Sequence, residues 1–230
     1  MSGGDSYARA GLANVQYTVS TLRRENTTSQ EKYLKNAMQM YFTILERDDH
    51  NCAASLGIAN VLNEYDKRSE AVEIYKLLAN SEPNTATGLN ARVNQGHIAM
   101  WDSNYDLAAN LYKSALQQKP EDLEISLYLS KAYFRMKDFT NCRTLLESIA
   151  PKQPEDARAK FNLAQVLYNI GRNHFNLPQR SVADSNRAVE DLEKARTMFT
   201  EILELHANST EVKPLKPNQT QNHPDVFLYR

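Results

Sequence analysis

Small, aromatic and apolar residues recur along this chain at fixed offsets, and the positions between them are mostly polar. Three stretches show the pattern best. Ala71, Ala108 and Cys142 are each followed four residues later by Tyr75, Tyr112 or Leu146, and seven later by Leu78, Ala115 or Ile149. Offsets of four and seven keep to one side of an α-helix. Twelve residues after each small residue stands a proline: Pro83, Pro120 and Pro154. Recurrence of this set at a period near 34 residues predicts a helix-turn-helix repeat.

Two ladders of small residues run through the chain. Ala37, Ala71, Ala108, Cys142 and Ala195 mark the second helix of five units, at steps of 34, 37, 34 and 53 residues. Ala13, Ala59, Gly96, Ser130 and Ala164 mark the first helices, at steps of 46, 37, 34 and 34. The ladders disagree in two places. About 12 extra residues fall between the helices of unit one, and about 19 in unit five. Both insertions are polar: the first spans Arg23 to Glu31, the second surrounds Pro178-Gln179-Arg180-Ser181. The second also holds Asn173-His174-Phe175-Asn176-Leu177, which suits either a loop or a helix extension. A direct internal echo pairs Gly11-Leu12-Ala13-Asn14-Val15 with Gly57-Ile58-Ala59-Asn60-Val61.

Packing explains the pattern. Two small residues facing each other let paired helices cross closely. The aromatic four residues on (Tyr41, Tyr75, Tyr112, Phe199) fills the space between neighbouring pairs. Proline stops one helix and can begin the next. Acids follow at once in Pro120-Glu121-Asp122 and Pro154-Glu155-Asp156, where a helix N-terminus favours them. One pair cannot bury both its faces, so the pairs stack. The expected fold is all-α: a right-handed superhelix (α-solenoid) of about five repeats, with insertions in repeats one and five. The repeats fall near 6–51, 52–85, 89–122, 123–156 and 157–206. Residues 1–5 read as a tag or flexible tail. Residues 207–230 read as a proline-punctuated linker, and Pro224-Asp225 before an apolar run resembles the opening of a further first helix.

Composition adds exclusions. Net charge is −1 from 27 basic and 28 acidic residues, so no global field draws the chain to nucleic acid or membrane. No apolar run is long enough for a membrane span or a signal-peptide core. Cys52 and Cys142 lie 90 residues apart and read as small buried residues in a reducing compartment, without a disulfide.

Candidate chemistry is sparse. The five histidines (His50, His97, His174, His206, His223) are not spaced as helical metal ligands. Asp48-Asp49-His50 falls where turn and cap residues belong. No phosphate-cradling glycine loop and no nucleophile motif is present, so neither an enzyme nor a cofactor is expected. Three glycosylation sequons, at Asn26, Asn208 and Asn218, read as solvated polar loops in the absence of a signal peptide.

With the first ladder as position 8 and the second as position 20, the 8-20-24-27-32 pattern resembles the tetratricopeptide repeat over about residues 7–206. The Trp usual at position 4 is absent (Ser55, Arg92, Ser126, Lys160). The resemblance implies that positions 2, 5, 6, 9, 12 and 13 of each first helix line an inner groove for a partner segment. The residues picked out there are Asn60, Asn94, His97, Trp101, Tyr128, Lys131, Arg135, Asn162, Gln165 and Tyr168. Amides would satisfy a partner's backbone, and aromatics would supply anchors. Trp101 suits either this groove or a wedge in the core. Leu56, Val93, Leu127 and Phe161 occupy position 5, where chaperone-binding relatives need Lys. The carboxylate clamp is therefore missing.

The order of features resembles, more narrowly, the tetratricopeptide scaffold subunit of the RNA polymerase II-associated factor (Paf) complex. A Leu-Ala-Asn-Val helix is followed by a polar insert and then by Ala37-Met38-Gln39-Met40-Tyr41-Phe42. Later come Leu127 to Phe134, Phe161 to Leu167, a second long insert, and Leu192 to Phe199. Both inserts fall where that family has them. The resemblance implies a nuclear, non-catalytic scaffold binding a segment of a sister subunit in transcription elongation and chromatin modification. Two alternatives stay open: an adaptor of another assembly (ubiquitin ligase, ciliary transport or RNA processing), or a regulatory module of a larger enzyme.

Overall fold

The computed structural model describes residues 4–208, apart from Arg24, Gln153, Glu155 and Arg180. The expectations for residues 209–230, and for the sequons at Asn208 and Asn218, rest wholly or partly outside the described residues. Within them are ten α-helices and no strand: α1 (Gly4–Leu22), α2 (Thr27–Leu45), α3 (Cys52–Glu64), α4 (Arg68–Ser81), α5 (Ala86–Trp101), α6 (Tyr105–Gln118), α7 (Leu123–Arg135), α8 (Phe139–Ile149), α9 (Ala157–Phe175) and α10 (Val182–Asn208). A 3₁₀ turn at Ala150–Lys152 follows α8. The helices divide into two compact units, one ending at Asp102 and one beginning at Ser103. Within each unit every helix packs against its neighbours in the chain.

All ten residues of the two small-residue ladders are buried. Their closeness is visible where Cys142 donates its thiol to the Ser130 carbonyl, 3.1 Å away. Burial pushes that thiol up to about 12, so Cys142 packs as a neutral group. Cys52 departs from the expectation. It opens α3 only half-buried, with Sγ 3.4 Å from the His50 carbonyl, because it stands at a helix start and not on the ladder. Both cysteines are free.

The prolines do not begin helices. Each stands two residues before an N-cap: Thr85, Asp122 and Asp156 follow Pro83, Pro120 and Pro154. These side chains accept from Gly88 N at 3.2 Å, Ile125 N at 3.1 Å and Arg158 N at 2.8 Å, satisfying donors that the helix itself cannot. The acids after Pro120 and Pro154 thus include specific caps as well as general charges at a dipole.

Within three consecutive repeat periods the helices join by a common turn. Asp66, Ser103 and Lys137 sit at φ of 62°, 60° and 61°, all seven residues after a first-ladder residue. Left-handed backbone costs a non-glycine residue roughly 1–2 kcal/mol. It is offset where the turn recovers helix-end carbonyls: Lys67 N donates to Leu62 O and Asp138 N to Tyr133 O, both at 2.9 Å, the bond pattern of a Schellman cap.

Most of the added length in the two insertions goes into longer helices, with only short connections left between them. α1 and α2 are 19 residues each, against 11 to 16 for α3 to α8. Only residues 23–26 remain to connect them. Asn26 caps α2 by accepting from Ser29 N at 3.0 Å, so Thr27 to Glu31 continue as helix. Likewise α9 and α10 reach 19 and 27 residues. Ser181 and Asp184 exchange side-chain and backbone bonds at the start of α10, a capping-box arrangement.

Candidate functional site

The groove residues picked out from sequence fall into two groups, one per unit. In the first unit, Asn60 on α3 and Asn94 on α5 meet directly. Asn60 Oδ1 accepts from Asn94 Nδ2 at 2.8 Å and from the Tyr75 hydroxyl at 2.7 Å. Tyr75 is almost wholly buried, and burial raises its phenol pKa above the ordinary value. The two amides therefore satisfy a buried knob and help to fix α3, α4 and α5 together. Asn14 plays the same part on α1, where it accepts from the Tyr41 hydroxyl at 2.6 Å.

His97, three residues after Asn94 on α5, is half-buried. Trp101 ends α5 and is 72% exposed; it is no core wedge. The Arg68 guanidinium lies 4.7 Å from its ring centroid, a cation–π distance. Arg68 is itself paired with Asp66 at 2.5 Å and lies 3.8 Å from Asp102. The indole thus stands in solvent with one face held.

In the second unit Tyr128 is half-buried against Tyr112, ring centroids 5.7 Å apart. Arg135 is exposed and lies over the Tyr105 ring at 4.8 Å, and it also donates to the Tyr105 hydroxyl. Lys131 and Gln165 are half-buried, and Tyr168 is exposed. Asn162 is different: it is fully buried, because position 6 of α9 lies under neighbouring helices. Leu127 is buried for the same reason, one position earlier in α7. The exposed aromatic and cationic members are Trp101, Arg135 and Tyr168.

Sequence reasoning missed the stacking partners. Arg68 and Tyr105 stand three residues before Ala71 and Ala108, so they occupy the same repeat position. Trp101 and Arg135 each lie five residues after Gly96 and Ser130. One pair places the cation in the earlier repeat and the other places the aromatic there. Reading positions 13 and 17 together would have found both. An ionic cluster was also missed: Arg158 donates to Glu124 at 3.0 Å and to Asp156 at 2.7 Å. Its hydrogen bonds hold the Asp156 carboxyl below its ordinary range.

The Asp48-Asp49-His50 stretch is an exposed turn, with His50 Nδ1 3.8 Å from Asp49. Asn51 there caps α3 through Ala54 N at 3.0 Å. Among the described residues no three or more His, Cys, Asp or Glu gather as a metal site. No helix among them is long and apolar enough to cross a membrane.

Known proteins resemble this geometry and this sequence. The tetratricopeptide repeat family profile matches residues 102–166. RNA polymerase-associated protein CTR9 of Caenorhabditis elegans is 26% identical over 197 residues, covering 85% of this chain and 17% of the relative. The CTR9 homolog of Arabidopsis thaliana is 22% identical over 93% of this chain, and CTR9 of Saccharomyces cerevisiae is 25% identical over 87%. The chain spans about a fifth of either one's length. Among solved structures, MamA from Desulfovibrio magneticus RS-1 superposes with a TM-score of 0.60 at 14% identity, over 86% of this chain and 97% of that one. MamA AMB-1 gives 0.58 at 12% identity, over 89% and 95%. The fold is an all-α tetratricopeptide-repeat fold, and in sequence the chain is similar to CTR9 proteins along most of its length.

Proposed function

We propose that this chain is a non-catalytic scaffold for protein–protein interaction, holding a segment of a sister subunit within a Paf-type transcription elongation and chromatin-modification complex in the nucleus. The observation that carries this reading is the similarity to CTR9 proteins, which extends over 85–93% of the chain. A match confined to the repeat positions would have recommended only an adaptor of some kind. This one runs through both long-helix pairs.

The exposed side chains suit such a role. Trp101 and Arg135 are of the types that dominate interface energetics, and each is already held in place by a stacking partner. Pre-ordering of an anchor lowers the entropy lost on binding. Asn60 and Asn94 serve the reading differently, as groups that fix the helices behind the surface.

Affinity purification of the full-length protein at its natural level tests the assembly. Recovery of Paf-type subunits and RNA polymerase II is expected. Recovery of an intact ubiquitin ligase, ciliary transport or RNA-processing assembly in their place would overturn it. For the surface, Trp101→Ala and Tyr128→Ala should each weaken a purified sister-subunit segment by about tenfold, the loss of one anchor. Unchanged affinity in both variants, measured by calorimetry, would remove the groove from the proposal.

A further inference from the structure

In the second unit α7 and α9 lie side by side, with equivalent positions facing each other. Glu124 and Arg158 both occupy position 2 of their repeats, and Arg158 Nη1 donates to Glu124 at 3.0 Å. From there Tyr128, Lys131 and Arg135 follow along α7, and Gln165, Tyr168 and Arg172 along α9, at steps of three, four or seven residues. Such steps keep to one helix face. Arg135, Tyr168 and Arg172 are exposed, and Tyr128, Lys131 and Gln165 are half-buried.

Charge is uneven along this strip. At its start Arg158 is matched by Glu124 and Asp156. At its far end Arg135, Lys137 and Arg172 are exposed, and none is paired with a carboxylate among the described residues. Arg135 is held over the Tyr105 ring at 4.8 Å. Lys137, with φ of 61°, lines an open notch together with Phe139, Asn173 and His174. Asp138 lines the same notch, but its carboxylate already accepts from Asn141 N at 3.2 Å and Nδ2 at 2.6 Å. The repeat itself does not require these cations. Positions 13 and 15 hold Arg135 and Lys137 at the end of α7, yet Glu64 and Asp66 at the end of α3. Neither α3 nor α5 has a basic residue in its last turn.

We propose that the far end of the α7–α9 strip docks an acidic stretch of the sister-subunit segment. Its carboxylates meet Arg135, Lys137 and Arg172, and an apolar side chain beside them packs on Tyr168. The inference rests on the scaffold reading above and deepens it by naming the chemistry of the partner. Charge complementarity carries it. Helices of this unit pack on one another through buried residues such as Leu127, Leu146, Leu163 and Leu167. A further helix pair of that kind over the strip would bury three cations without partners, a cost that only carboxylates offset. A peptide suits the strip better than nucleic acid, because Glu124 shares it and the net charge of the chain is −1.

The probe is a fluorescein-labelled peptide of repeated Glu-Glu-Phe-Glu units, compared with a Gln-Gln-Phe-Gln peptide of the same length and with oligouridylate. Fluorescence anisotropy against the whole chain should show saturable binding of the acidic peptide alone, weakening as salt rises. Arg135→Glu and Arg172→Glu should each weaken it by about threefold, and together by about tenfold. The double variant should in turn bind a Lys-Lys-Phe-Lys peptide. Lys76→Glu makes the same change of charge on α4 in the other unit and should leave affinity unchanged. Both arginines are exposed, so their replacement keeps the fold, which a circular dichroism melt verifies; Lys137→Glu gives an independent third variant. Absence of acidic-peptide binding would overturn the proposal, as would equal binding by wild type and the double variant. An equal loss in Lys76→Glu would overturn it too, and so would tighter binding of oligouridylate that the same variants abolish. Arginine-dependent binding of the acidic peptide in a protein that purifies without Paf-type subunits would remove the assembly reading alone. Paf-type subunits retained in full by the full-length double variant, with peptide binding unaffected, would remove this site alone.

Discussion

Gly11–Val15 and Gly57–Val61 are nearly the same five residues in two different surroundings. Both stretches form helix, and both turn their alanine, Ala13 or Ala59, fully into the contact with the second helix of their own pair. There the likeness ends. Ile58 and Val61 are buried, whereas Leu12 is 48% and Val15 55% exposed. The difference comes from outside the stretch: Tyr41 and the rest of α2 lie over α3, and no helix among the described residues lies over the corresponding face of α1. A local pattern therefore specifies the helix and its crossing within a pair. Burial of the next face is conferred by the neighbouring pair, and the same letters read as core or as surface accordingly.

The largest test of this comparison is removal of the knob. Tyr41→Ala should destabilise the first unit by about 3–5 kcal/mol, as for truncation of a large buried aromatic. Urea unfolding followed by circular dichroism measures it, and a loss below about 1 kcal/mol would mean that the α2–α3 contact collapses around the gap. A smaller test sets the two glycines against each other. Gly57→Ala forces the Tyr41 ring aside and should cost about 1–3 kcal/mol by overpacking. Gly11→Ala should instead gain up to about 1 kcal/mol, because alanine is the better helix former and nothing crowds it. Equal signs in the same unfolding assay would break the comparison.

The smallest effect is a pH dependence. Burial pushes the Tyr41 phenol up to about 12, above its ordinary value near 10. The folded state thus prefers the protonated form. Its contribution is complete below pH 10 and is lost as pH rises from 10 through 12. Tyr41→Phe should cost about 1 kcal/mol at neutral pH for the lost bond to Asn14. It should also flatten part of the alkaline decline in stability between pH 10 and 12. An alkaline profile identical to wild type would show that the hydroxyl is not desolvated. Tyr75 and Tyr112, raised by the same cause, keep the remainder of the slope.

A second contrast, between the α3 to α8 helices and the longer outer ones, shows what the sequence could disclose. Ladder spacings located the insertions near Arg23 and near Pro178, yet they did not say that the added residues would be helical. Polar residues such as Thr27, Ser29 and Gln30 are compatible with a solvated loop. They become helix because Asn26 caps α2 and because Leu34, one turn on, is buried. The candidate groove was legible in the same partial way. Period and residue type selected Trp101, Arg135 and Tyr168, which are exposed. The same rule selected Asn162, which is buried, since a helical offset gives a direction without saying what stands there. Asn60 and Asn94 were read as groups for a partner's backbone, and the Tyr75 hydroxyl binds one and is linked through it to the other.

By itself the sequence determined the helices, their small crossing residues and their proline-punctuated ends. These rest on interactions within about 34 residues of chain, where spacing fixes which side chains meet. Only the tertiary structure decided which faces are covered, which amides are already bonded and which aromatics stand free. Those properties belong to surfaces brought together from separate helices, and a surface is buried by what packs on it.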